Sequence, residues 1–272
     1  MQDMSQTLRS AFRRVMNRRS RVRAGRLESI AEFNSAILRN ARQITVYLPP
    51  GYDERSDRHY PVLYAQDGQN LFDDTRAFAG HSWRLHHAAD DAIGGRKAEP
   101  MIIVGVDHAG TGRIHEYTPA FDENKKAGGG ADDYGRMLLQ ELKPVIDDRY
   151  RTRPERTALA GSSLGGLVSL HLALTRDEIS AAAVMSPSVW WHGRAILKTV
   201  DQSERRPRIW LDIGGREGRD ALSDARILRD RMIERGWNAA TFRFYEDRRA
   251  DHSERAWGGR AAKMLEFLFP AE

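Results

Sequence analysis

Cysteine is absent from all 272 residues. Its absence removes a thiol nucleophile, a thiolate metal site and any disulfide framework, and leaves the redox compartment open. Long apolar runs are missing as well, and none approaches the roughly 18 residues of a membrane span. No internal repeat and no linker divides the chain, whose length suits one α/β domain with a substantial core. Acidic residues are scarce only at the start. Of the 43 basic and 38 acidic residues, eight arginines and the single acid Asp3 fall in residues 1–26, leaving 35 and 37 for the rest. The net charge of +5 therefore belongs to an arginine-rich N-terminal extension, and residues 27–272 form a nearly neutral domain.

The extension places Leu8, Phe12, Val15 and Met16 at spacings that make one helical stripe among arginines. No apolar segment of about 7–15 residues follows its charges, so it does not read as a secretory signal. The arginine pairs at 13–14 and 18–19 lack that segment too, and the expected location is cytoplasmic. One reading is a basic arm for nucleic acid or anionic lipid. The preferred reading is a solvated, partly helical extension that packs on its own domain or on a second copy of the chain in a homo-oligomer. No nucleic-acid partner is expected.

From Leu27 onward strands alternate with helices. The pattern predicts strands at 43–48, 61–66, 101–106, 157–160, 180–185, 208–213 and 240–245. It predicts helices at 82–93, from Asp132 or Asp133 to about 148, and at 165–175, 221–235 and 253–268. The charged, glycine-rich stretch 122–131 reads as a mobile loop. Such alternation implies a mostly parallel central sheet with helices on both faces, the α/β class.

The stretch that organises the chemistry is Thr157 to Leu167. It reads as an apolar strand, a G-x-S-x-G turn and a helix, the context in which a serine becomes an exposed nucleophile. Gly161 and Gly165 flank Ser163 because side chains there would collide across so tight a turn. The turn also sets Ser163 at a helix N-terminus, whose free N–H groups can stabilise an oxyanion.

A serine hydroxyl needs a base, and the base needs an orienting acid. In an open α/β sheet these groups come from loops at the carboxyl ends of strands. Of nine histidines, His252 alone follows the final strand and precedes the closing helix; His81, His108, His115 and His192 lie in loops that could line a pocket. The acid should follow the strand that ends at Ile213. Glu217 is the first carboxylate of that loop, Asp220 is its rival, and Asp212 lies within the strand, where it would have to point the wrong way. The order Ser163, Glu217, His252 is that of α/β hydrolases. Two oxyanion donors are required: the N–H of Leu164, and one from the loop after Gln66, where Gly68 lets the backbone approach and Gln69 presents its N–H.

Four segments then carry a resemblance. Residues 62–72 (VLYAQDGQNLF), 113–119 (RIHEYTP), 161–166 (GSSLGG) and 186–191 (SPSVWW) are similar to the putative-esterase family of α/β hydrolases, which includes esterase D, feruloyl and acetyl-xylan esterases and the enterochelin esterases. The likeness runs from about Glu28 to Leu268. It implies an α/β-hydrolase fold and a serine esterase with Ser163, Glu217 and His252 as catalytic residues, needing no cofactor or metal. It also implies that Arg113 and Asp67 bind substrate in the pocket, the alternative for Arg113 being an ion pair with Glu116 or with the Asp67 loop. Trp190 and Trp191 are expected at the pocket rim, where rings stack on a sugar or an aromatic acyl group, one of the two being core. Gln66-Asp67-Gly68 stands where many relatives carry His-Gly, so the second oxyanion donor stays open. The expected function is hydrolysis of a small-molecule carboxylic ester through an acyl-enzyme, on carbohydrate-linked acetyl or hydroxycinnamoyl esters. The alternatives are a siderophore trilactone, transfer to an acceptor other than water, and a binding module built on the basic arm.

Overall fold

Alternation inside the strands decides where the core sits. In β3 (Tyr60–Gln66), Val62 and Tyr64 face one apolar cluster while Leu63 and Ala65 face another. In β8 (Ile179–Met185), Ala182 and Val184 divide from Ala181, Ala183 and Met185 in the same way. A strand buried on both sides serves two cores, so helices must cover both faces of the sheet.

The computed structural model describes residues 24–271. The stripe and arginines of residues 1–23, and every role expected of them, lie outside these residues. Arg26, counted with the extension by its charge, instead opens β1 (Arg26–Ser35) and pairs with Asp53. The eight-stranded sheet adds β2 (Asn40–Leu48), β4 (Ile102–Val106), β7 (Thr152–Ser162), β9 (Arg208–Gly214) and β10 (Phe242–Asp247), in the order β1-β2-β4-β3-β7-β8-β9-β10. β1 and β2 are antiparallel to their neighbours. Every other pair is parallel.

One face carries the helix Leu164–Thr175, buried at every position from Leu164 to Leu174. The helix formed by residues 131–149, with a π-helical stretch at Met137–Leu142, packs beside it on the same face, touching β1 and β7. The other face carries the helices Leu85–Gly94 and Glu254–Leu268, packed on each other. Beneath them the sheet is paved with Ala158, Ala160, Ala181 and Ala183, small residues that let the closing helix approach.

Three local expectations are corrected. Arg26–Ser35 forms a strand that the pattern did not assign, because its register slips between Ile30 and Phe33 and breaks the alternation. The stretch 122–131 is not built as an open loop. Its first part forms a short hairpin, β5 (Phe121–Asp122) with β6 (Ala127–Gly128), in which Asp122 Oδ1 accepts from the N–H groups of Asn124 and Lys125. Neither Asp132 nor Asp133 caps the next helix. Its N-cap is Gly130, and Asp132 faces Arg176 and His171 instead.

Candidate active site

The direction of the chain's progress across the sheet reverses at β3, which lies between β4 and β7. The crevice at the carboxyl ends of such neighbours is where open α/β sheets bind ligands. Asp67 leaves β3 there, and Ser163 leaves β7 beside it. A cleft of about 290 Å³ opens between them, lined by Asp67, Asn70, Phe78, His108, Arg113, Ser162, Ser163, His252, Glu254 and Trp257.

Ser163 has φ 57° and ψ −121°, a conformation that L residues rarely hold. The surroundings enforce it. A Cβ on Gly161 would come within 2.4 Å of the Gly165 backbone, and one on Gly165 would press on Gln66 and Asp67. The Ser163 N–H donates to Met185 O at 3.0 Å, which ties the turn to β8. Among the described residues, the hydroxyl's hydrogen-bond contact is Ser188 Oγ at 3.2 Å. The Leu164 and Gln69 N–H groups make no hydrogen bond among those residues, whereas the Asp67 N–H donates to Tyr117 Oη. Gly68 is needed for close approach, since a Cβ there would lie 2.7 Å from β4 backbone.

His252 follows β10 and directly precedes Ser253, whose hydroxyl caps the closing helix. Its Nδ1 lies 2.6 Å from Glu217 Oε2, and its ring stands edge-on to Trp257 at 4.8 Å. Nδ1–H donates to the carboxylate, so Nε2 is the free acceptor. The loops that carry the two groups are laced together by backbone bonds from Gly215 to Asp247 and from Arg216 to Ala250. The Glu217 side chain is 1 % exposed, and its Oε1 accepts from Gly214 N–H at 2.7 Å and Ser186 Oγ at 2.6 Å. Asp220 lies in the first turn of the helix Arg219–Glu234, and the carboxylate on the imidazole is Glu217. Asp212 is wholly buried behind the loop and bonded to Trp210 and Arg260.

Arg113 takes the ion-pair alternative. Its Nε and Nη2 donate to the two carboxylate oxygens of Asp67 at 2.7 and 2.8 Å, while Glu116 is engaged by Arg42. Arg113 still lines the cleft, with its charge offset by Asp67. The tryptophan pair divides. Trp191 is 3 % exposed with its indole N–H on Ala120 O, so it belongs to the core and has no face for a ligand. Trp190 is exposed beneath Lys125, outside the residues that line the cleft.

Several lining residues escaped the sequence reading. Phe78 is 90 % exposed at the rim, and Asn70, Glu254 and Trp257 complete the wall. No periodicity marks an exposed loop phenylalanine. His108 lay among the loop histidines that could line a pocket, and it does. Burial holds its imidazole below the ordinary histidine range, and its Nδ1 accepts from Gly110 N–H, which makes it a neutral Nε2–H donor.

Comparison with known proteins decides the family, since a model described as "Putative esterase" matches residues 35–268. The chain belongs to the putative esterase family. This putative esterase is 26 % identical to the uncharacterized protein YbbA of Bacillus subtilis (strain 168), over 69 % of the chain and 73 % of the relative. It is 30 % identical to the siderophore enterobactin esterase of Emericella nidulans over 51 % of the chain and 49 % of the relative, and 29 % identical to the ferri-bacillibactin esterase BesA of Bacillus subtilis over 52 % of each. It thus spans about half the length of those two relatives. Among solved structures, the BES protein from Bacillus cereus superposes with a TM-score of 0.74 over 89 % of this chain and 94 % of that one, at 23 % identity. That likeness shows the α/β-hydrolase fold. As a member of the family the protein is a carboxylic-ester hydrolase. No helix among the described residues is long and apolar enough to cross a membrane.

Proposed function

We propose that the putative esterase cleaves its ester through an acyl-enzyme on Ser163. The observation that carries this reading is the meeting, in one cleft, of a serine at a strained elbow and an imidazole held by a buried carboxylate. His252 Nε2 takes the proton of Ser163 as Oγ attacks the ester carbonyl. Glu217 fixes the tautomer and stabilises the imidazolium that forms. The Leu164 and Gln69 N–H groups, which make no hydrogen bond among the described residues, receive the oxyanion. The imidazolium then protonates the departing alkoxide, and water repeats the sequence against the acyl-enzyme. The Ser163–Ser188 contact marks a resting position, from which the hydroxyl turns toward the imidazole when substrate binds.

The cleft supports an aromatic acyl group, of the hydroxycinnamoyl kind, laid against Phe78, with His108 and Arg113 as donors to its polar edge. A simple anion is less well served, because Asp67 already neutralises Arg113. The tryptophan pair gives no support for stacking on a sugar. A siderophore ester is the second reading, favoured by the likeness to siderophore esterases. Hydrolysis of 4-nitrophenyl acetate, methyl ferulate, an acetylated xylo-oligosaccharide and a catecholate trilactone by wild type and Ser163→Ala tests both readings. The expected result is turnover that falls at least about a thousandfold in the variant, with methyl ferulate preferred. Turnover that survives in Ser163→Ala overturns the mechanism, and preference for the trilactone selects the second reading.

A further inference from the structure

Behind the carboxylate of Glu217 lies a buried cationic group that the mechanism above does not use. Arg260, on the closing helix, is 1 % exposed and donates through Nη2 to Asp212 Oδ1 and to Ser186 Oγ, each at 3.0 Å. Trp257 Nε1 donates to the same hydroxyl, also at 3.0 Å. An indole and a guanidinium can only donate, and a serine hydroxyl has one hydrogen and two acceptor positions. With both acceptor positions filled, the hydroxyl's hydrogen has one place to go, which is Glu217 Oε1 at 2.6 Å. Ser186 holds a positive φ of 42°, so its backbone too is set for this task rather than for ease.

We propose that Arg260 is a positioning residue for the active site. It acts through Ser186 to lock Glu217 Oε1, so that Oε2 meets His252 Nδ1. The inference rests on the catalytic reading for its consequence in turnover, but its geometric content stands apart from it.

Two features favour a role in the site over one in stability. Among the described residues Arg260 leaves Nε and Nη1 buried without a hydrogen-bond partner, a costly way to fill a core. Its countercharge, Asp212, sits beneath the very strand end from which the Glu217 loop departs, and the Ser186 N–H also reaches Asp212 Oδ1 at 3.3 Å. If the guanidinium is lost, the carboxylate of Asp212 is left free to compete for the Ser186 hydroxyl, and Glu217 loses its second side-chain anchor. A misplacement of about 1 Å in such a constellation costs about a hundredfold in rate.

The test compares wild type with Ser186→Ala, Arg260→Met and Arg260→Lys. Two readouts are followed, with far-UV circular dichroism as a check on folding. The first is the downfield proton resonance of the His252 Nδ1–H, assigned by its loss in His252→Gln. The second is kcat and KM for 4-nitrophenyl acetate. The expected result is a resonance that weakens or moves upfield in Ser186→Ala and Arg260→Met. kcat should fall about 10- to 100-fold while KM changes less than about threefold, and Arg260→Lys should lie between. Should Arg260→Met fail to fold, Ser186→Ala carries the test. An unchanged resonance and unchanged kcat in a folded Ser186→Ala overturn the proposal. A wild type that shows the resonance but hydrolyses nothing refutes the catalytic reading, while the resonance still decides whether Arg260 orders the pair.

Discussion

A serine at φ 57° costs about 1–3 kcal/mol of backbone strain, and the strain is maintained by two glycines that leave no room for relaxation. Around it each functional atom is set by a partner one step further out: Glu217 on His252, then Gly214 and Ser186 on Glu217. Replacing Glu217 with Gln presents an amide to Nδ1 and disturbs the tautomer. kcat for a 4-nitrophenyl ester should fall about 10³- to 10⁴-fold. The same change at Asp220, to Asn, should leave kcat within about twofold, and steady-state kinetics on the two variants check both. Equal losses would reassign the acid. The tryptophans give a sharper contrast in stability. Trp191→Ala empties a core position and should cost about 3–5 kcal/mol. Trp190→Ala should cost under about 1 kcal/mol. Urea denaturation of the two variants measures both.

At the scale of elements, the legible parts were those whose signal is local. Central strands such as 101–106 are continuous apolar runs, and the elbow is a motif with its own strand and helix. The meeting of Glu217 with His252 followed from chain order, because each stands in the first loop after one of the last two strands. The elements that escaped depend on distant partners. β1 is a mostly exposed edge strand with a bulge, so its pattern has no constant period. The hairpin within 122–131 is ordered by Thr118, Ala120 and Trp191, which crowd Gly128, and by His115 on Gly128 O. Composition alone cannot report those contacts. The Arg113–Asp67 pair spans 46 positions, and sequence could offer it only as one alternative.

For the whole molecule, two histidines tie stability to pH. Burial holds His86 and His108 below the ordinary value of 6.5, so between their folded values and 6.5 the unfolded chain binds more protons. Their contribution is present above that range and is lost as pH falls through it. Burial shifts the carboxyls of Asp107 and Asp212 upward, which works in the opposite sense, so the histidine effect is read by difference. Between pH 7.5 and 5.5, Tm should drop further in wild type than in the His86→Gln/His108→Gln variant. Parallel curves would deny these histidines the effect. Covalent trapping reports whether the elbow holds Ser163 as a nucleophile. Wild type and Ser163→Ala would be treated with an aryl fluorophosphonate, followed by intact mass and peptide mapping. One adduct per chain is expected on the peptide that contains Ser163, absent from the variant and slowed in Glu217→Gln. An adduct on any other residue, or none in wild type, would contradict it.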